Sequence, residues 1–166
     1  WLYYALQFMS GARRQIFMVF SGFLMVEKFN FSVAEISLLF IVNSLITIPL
    51  APRIGKLIAK IGERKALIIE YIGLAAIFVG YALTQSALFA VILYLLDHIF
   101  FSLAIALKTY FQKIADSADI ASSAGVSFTI NHIAAVFIPA IFGFIWLYSS
   151  AMVFYAGAIM ALVSLI

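Results

Sequence analysis

Seven polar side chains stand out in an otherwise apolar chain: Arg13, Arg14, Asn43, Asp97, His98, Asn131 and His132. Each type has a chemistry. A guanidinium offers a rigid fork of donors that fits a carboxylate or phosphate. A carboxyl followed by an imidazole, as in Asp97-His98, can take up and pass on a proton near neutral pH. The carboxamides of Asn43 and Asn131 donate and accept hydrogen bonds at once. Together these groups suit the binding and release of a small charged molecule, with protons as the exchangeable companion. Ligation of a metal ion by Asp97, His98 and His132 is the alternative chemistry, although their spacing lacks the short repeats of a motif such as HExxH. Cysteine is absent and no serine sits in a glycine-framed elbow, so thiolate sites, disulfides and nucleophilic catalysis have no basis. Neither a cofactor nor a resident metal is expected.

What must position these groups is a membrane bundle. Of 166 residues, 66% are hydrophobic and 10% charged, against roughly 25% charged in soluble domains. The apolar runs lack the alternation of membrane-barrel strands, so the fold class is an all-α membrane protein. Lys and Arg exceed Asp and Glu by 10 to 7, but most of the cations cluster in short loops, which marks topology and argues against a nucleic-acid partner. The chain starts at Trp1 and stops within an apolar run, and it is expected to be a piece of a longer protein. Its first segment is not a signal peptide, because the apolar run is too long and its arginines are central.

Six transmembrane helices are expected, at about residues 1–27, 33–61, 66–84, 86–109, 121–147 and 150–166. Ser32 and Glu35 form a capping box before the second, and Gly62 supplies a left-handed cap after it. Gln85-Ser86, the polar stretch from Asp116 to Ser123, and Tyr148-Ser149-Ser150 make the remaining connections. Pro49, Pro52 and Pro139 lie inside spans and can kink them. One side of the bundle holds Arg53, Lys56, Lys60, Arg64, Lys65, Lys108 and Lys113, and the other only Lys28. The positive side is cytoplasmic, which places both ends of this stretch in the cytoplasm, with Trp1, Tyr3 and Tyr4 as an interfacial aromatic belt.

Counted from these boundaries at about 1.5 Å per residue, all seven polar groups fall roughly 15 Å from a membrane face. Ionisable groups persist there only against a partner or a watery cavity. Asp97 is the one acid at that depth and therefore the expected counter-ion. Adjacent arginines point about 100° apart, so one is expected to bind a structural carboxylate while the other faces the cavity. Asn43 is expected to bridge helices, and Glu70, placed near the cytoplasmic face, to pair with loop cations.

The stretch Gly55-Lys56-Leu57-Ile58-Ala59-Lys60-Ile61-Gly62-Glu63-Arg64-Lys65 reads first as a basic topogenic loop. Its spacing also resembles the signature between the second and third helices of each half of major facilitator superfamily transporters. Gly55, Leu57, Lys60, Gly62 and Arg64 match that signature, whereas Ala59 stands where the family prefers aspartate, Ile58 where it prefers a small residue and Glu63 where it prefers arginine. Such departures are commoner in the second half of these transporters. The resemblance implies a six-transmembrane-helix bundle that is the C-terminal half of a twelve-helix major facilitator fold. Its first and fourth spans would line a central cavity, its second and fifth would pack on the other half, and its third and sixth would face lipid.

The reading is a secondary active transporter and not an enzyme, set in a lipid bilayer, the bacterial cytoplasmic (inner) membrane being the expected location. By alternating access it moves a small anionic or zwitterionic solute, bound by Arg13, Arg14, Asn43 and Asn131, and a proton or other coupling ion is exchanged by Asp97, His98 and His132. The N-terminal half of the same transporter is its expected partner. The alternatives are an intramembrane metal-dependent enzyme or metal carrier, and a receptor or scaffold that keeps the fold but needs no wet cavity.

Overall fold

A computed structural model describes residues 1–165, and every element among them is helical. The first span is three consecutive pieces: α1 (Leu2–Gln15), a π-helical segment (Ile16–Ser21) and α2 (Gly22–Phe29). Asn30 ends it in the left-handed region, at φ 56° and ψ 34°. A π segment adds a residue to the turn and rotates the two flanking helices relative to one another, a feature that apolar periodicity did not announce.

The second span is α3 (Val33–Ile61), which runs helically through both Pro49 and Pro52. Its start is the capping box: the Ser32 hydroxyl accepts from the Glu35 N–H at 3.2 Å, and the Glu35 carboxylate accepts from the Ser32 N–H at 2.7 Å. The third span, α4 (Glu63–Leu83), follows after a single residue. Gly62 makes that reversal at φ 87° and ψ 152°, a combination in which ψ is extended and not helical. It is therefore not the left-handed cap expected. A positive φ still demands glycine there, and most of the basic loop turns out to be helix on either side of it.

The fourth span comprises α5 (Ala87–Phe101), one 3-10 turn (Ser102–Ala104) and α6 (Ile105–Ile114). The fifth, α7 (Ser117–Tyr148), starts within the stretch read as a polar connection. Asp116 causes the early start, because its carboxylate caps the Ala118 N–H at 3.2 Å. The sixth is α8 (Ser150–Val163). Four segments, α3, α4, Ala87–Ile114 and α7, are each long and apolar enough to cross a bilayer, and α8 is a shorter apolar helix.

The core lies where α4 packs along α8 and α5, and where α1 packs along α7. Phe17, Phe20, Leu74, Phe78, Phe142 and Phe154 belong to one buried apolar cluster. Two glycines set the closest approaches. A Cβ at Gly73 would overlap the ring of Phe100, and one at Gly11 would sit 2.6 Å from Asn131 Oδ1. The helix least embedded is α3, where only Asn43, Ile54 and Ile58 are buried. The third and sixth spans present Ile68, Ile72, Ile159 and Leu162 outward, yet α4 is the most embedded of the long helices. Lipid exposure is thus a property of their outer faces only.

Candidate functional site

Arg13 and Arg14 leave α1 in different directions and enter different surroundings. Arg13 is completely buried. Its Nη1 donates to the Ser164 hydroxyl at 2.5 Å and to the Met160 carbonyl at 3.3 Å, and its Nη2 lies 3.8 Å from Glu70 Oε1. The guanidinium also sits 4.7 Å from the centre of the Tyr71 ring. Glu70 is itself fully buried and pairs with this arginine, not with loop cations as expected. Its helix begins at Glu63, so Glu70 lies two turns inside, and the long arginine side chain spans the remaining depth. Asp97 is likewise fully buried, and neither of its oxygens has a hydrogen-bond partner. The counter-ion of Arg13 is therefore Glu70 and not Asp97 as expected.

Arg14 is exposed and lines a cleft of about 640 Å³ between the first, fourth and fifth spans. The cleft is built by helical repeats. Tyr3, Gln7, Arg14 and Met18 form one stripe; Phe101, Lys108 and Gln112 form a second; Ala124, Ser127, Asn131 and Ala135 form a third. Its lining contains Arg14, Lys108 and His132 and no carboxyl group. Among the described residues Arg14 makes no ion pair, and its nearest ring is that of Phe101, with the centroid 5.9 Å away. The Asn131 amide donates to the Ser127 carbonyl at 2.9 Å. His132 is exposed, and its Nδ1 lies 2.9 Å from the Phe128 carbonyl, to which it donates in the tautomer protonated there.

At the basic end of the cleft, Tyr3 stacks on Phe111 with centroids 3.9 Å apart, and the Tyr4 hydroxyl donates to Ser123 Oγ at 3.1 Å. Toward the opposite end the first and fifth spans close on each other. Phe20 stacks on Trp146 at 5.4 Å, and Trp146 Nε1 donates to Glu27 Oε2 at 2.7 Å. The cleft is thus bounded by packed aromatics on the side away from the basic loops.

The seven polar residues do not form one cluster. The cleft unites Arg14, Asn131 and His132, while Arg13 and Asp97 belong to the buried interior with Glu70. His98 is half-buried against Phe17 and Tyr94, at centroid separations of 5.4 and 6.2 Å; its Nδ1 has no partner. It adjoins Asp97 in sequence on α5. Asn43 is buried on α3 with both ends of its amide unpaired. The signature residues Gly55, Lys60 and Arg64 are exposed around the Gly62 turn, where Lys113 pairs with Glu63 at 2.5 Å. Among the described residues no three His, Asp or Glu side chains gather at metal-binding range.

Gln7, Gln15, Lys108 and Gln112 were not anticipated in the lining. Their signal was the helical spacing that places them on the faces of Arg14 and Phe101. The family model of the Major Facilitator Superfamily matches residues 3–166 of the chain. No curated protein and no solved structure matches it.

Proposed function

Since this chain belongs to the Major Facilitator Superfamily, we propose that it is the C-terminal half of a proton-coupled secondary transporter that moves a small anionic or zwitterionic solute by alternating access. The observation that carries this reading is the unequal treatment of the two arginines. Arg13 is neutralised inside the protein by Glu70, whereas Arg14, at bilayer depth, faces a cleft without a carboxyl. A guanidinium there needs water and a counter-charge. A solute carboxylate or phosphate supplies that charge, held by the fork of Arg14 and steered by Lys108. Asn131 and the glutamines of the lining give hydrogen bonds to the uncharged part of the solute. The N-terminal half of the transporter, packed on the exposed faces of α3 and α7, completes the cavity. Both ends of this stretch are assigned to the cytoplasm on the strength of the basic loops, in a bacterial inner membrane.

The packed aromatics at Phe20 and Trp146 against the open basic end favour a state in which the cleft faces the cytoplasm. Coupling is assigned to Asp97, with His98 as the relay toward the cleft and His132 Nε2 as a second proton acceptor at its surface. Uptake of labelled organic anions and amino acids into proteoliposomes of the full-length protein tests this reading. Uptake that rises with an imposed pH gradient and falls in Arg14→Gln is expected. Equal uptake by Arg14→Gln would remove the solute contact, and indifference to the gradient would remove proton coupling.

A further inference from the structure

Arg14, Phe101 and Asn131 stand at one level of the cleft, each about 13 residues, or roughly 20 Å, in from the basic end of its span. The Arg14 Cζ lies over the Phe101 ring, 5.9 Å from its centroid. Among the described residues Phe101 stacks on no other ring, whereas other aromatic side chains of the lining are engaged. Tyr3 stacks on Phe111 with centroids 3.9 Å apart, and the Phe128 ring lies 4.0 Å from that of His132. Beside Arg14 and Phe101 the wall is apolar, with Met18 about one turn on from the arginine, and Ala104 and Ile105 about one turn on from the phenylalanine. The cleft measures about 640 Å³, within the range of roughly 300–1,000 Å³ for sites that enclose drug-sized ligands. A carboxylate by itself fills a small part of it.

A carboxylate held by the Arg14 fork brings whatever is attached to it against the Phe101 ring and these apolar neighbours. An aromatic group suits that place on two counts. It leaves water for an apolar wall, a gain that grows with the area buried, and its edge or face meets the Phe101 ring, which adds to the gain from area alone. Charge narrows the class further. The permanent charges of the lining, Arg14 and Lys108, are both positive, and no carboxyl group belongs to it. An ammonium on the solute therefore meets repulsion and no counter-charge from this wall. We propose that the solute is an aromatic carboxylate without an amine, its carboxylate on Arg14 and its ring against Phe101, which makes Phe101 a specificity-determining residue. This narrows the anionic or zwitterionic solute of the reading above and rests on that reading.

Equilibrium binding of labelled phenylacetate, cyclohexylacetate, phenylglycine and acetate to the purified full-length protein tests the class one feature at a time. Relative to phenylacetate, cyclohexylacetate saturates the ring, phenylglycine adds an ammonium beside the carboxylate, and acetate removes the ring. Phenylacetate should bind tightest, with acetate and phenylglycine each at least about tenfold weaker. Phe101→Leu should weaken phenylacetate by about twofold to tenfold and leave cyclohexylacetate unchanged, and Phe101→Tyr should keep the preference for the aromatic ring. Acetate or phenylglycine binding as tightly as phenylacetate would overturn the class, and equal losses of phenylacetate and cyclohexylacetate in Phe101→Leu would overturn the placement of the ring. Arg14→Gln separates these failures from failure of the transporter reading. Preferred binding of acetate or phenylglycine that is lost in Arg14→Gln would overturn the inference and leave the solute contact standing. Binding of no carboxylate, or binding that Arg14→Gln does not weaken, would remove both together. The ligand series on the wild-type protein is decisive by itself, so a variant that fails to fold does not suspend the test.

Discussion

Replacing Arg13 and Arg14 one at a time by glutamine should give opposite defects, although the two are neighbours on one helix. Glutamine at 13 removes the ion pair with Glu70 at 3.8 Å and the hydrogen bonds to Ser164 at 2.5 Å and Met160 at 3.3 Å. Breaking a buried pair by deleting one partner costs about 3–5 kcal/mol. For a bundle of this size that corresponds to a fall of roughly 6–20 °C in Tm. Glutamine at 14 removes no ion pair and only the approach to Phe101 at 5.9 Å. At an exposed site that contact is worth about 0.5–1 kcal/mol, so Tm should move by less than about 4 °C. Transport should reverse the order of severity. Loss of a charge-assisted bond to an anion is worth about 1.5–3 kcal/mol, a roughly tenfold to 150-fold weakening of solute affinity. Thermal unfolding in detergent and solute uptake into proteoliposomes, measured on the same preparations, separate the two effects. A Tm loss in Arg14→Gln as large as in Arg13→Gln would refute the assignment of one arginine to structure and the other to the cleft.

Four smaller expectations follow from particular contacts. Lys108→Gln, in the cleft but nearer its basic end, should weaken uptake less than Arg14→Gln and leave Tm unchanged, as read by the same two assays. Gly62→Ala forces a Cβ onto φ 87° and should destabilise the α3–α4 reversal by about 1–3 kcal/mol, visible as a lower unfolding temperature. Gly73→Ala collides with the Phe100 ring and should destabilise by about 1–3 kcal/mol, with rescue by Phe100→Leu in a double-mutant cycle. Glu27→Gln keeps an acceptor for Trp146 Nε1, whereas Glu27→Ala removes the 2.7 Å bond and should cost about 0.5–1.5 kcal/mol; tryptophan emission should shift in the second variant only.

The spans and the polar residues were legible because apolar runs and buried charges are strong signals in a membrane protein. The divergence of Arg13 and Arg14 followed from helix geometry alone. Glu70 was misread because its depth was counted from residue 66, whereas Gly62 lets α4 begin at Glu63 and carries Glu70 deeper. Counting also could not see that an arginine side chain reaches across a turn. The π segment at Ile16–Ser21 leaves no mark in composition, because the same apolar residues fit an α-helix equally well. Depth alone likewise grouped Asp97 with Arg14 and Asn131. Residues at one depth on different faces enter different environments, and only the packing of α5 against α4 separates the interior acid from the cleft.

Alternating exposure of the cleft is the central claim, and a single cysteine tests it most directly. The chain has none of its own, and Ala135 lines the cleft as a small apolar residue. In an otherwise cysteine-free full-length protein, in vesicles of known orientation, Ala135→Cys should react with a membrane-impermeant thiol reagent added on either side, reflecting two populations of one protein. Reaction from one side only, or protection from both, would contradict the account.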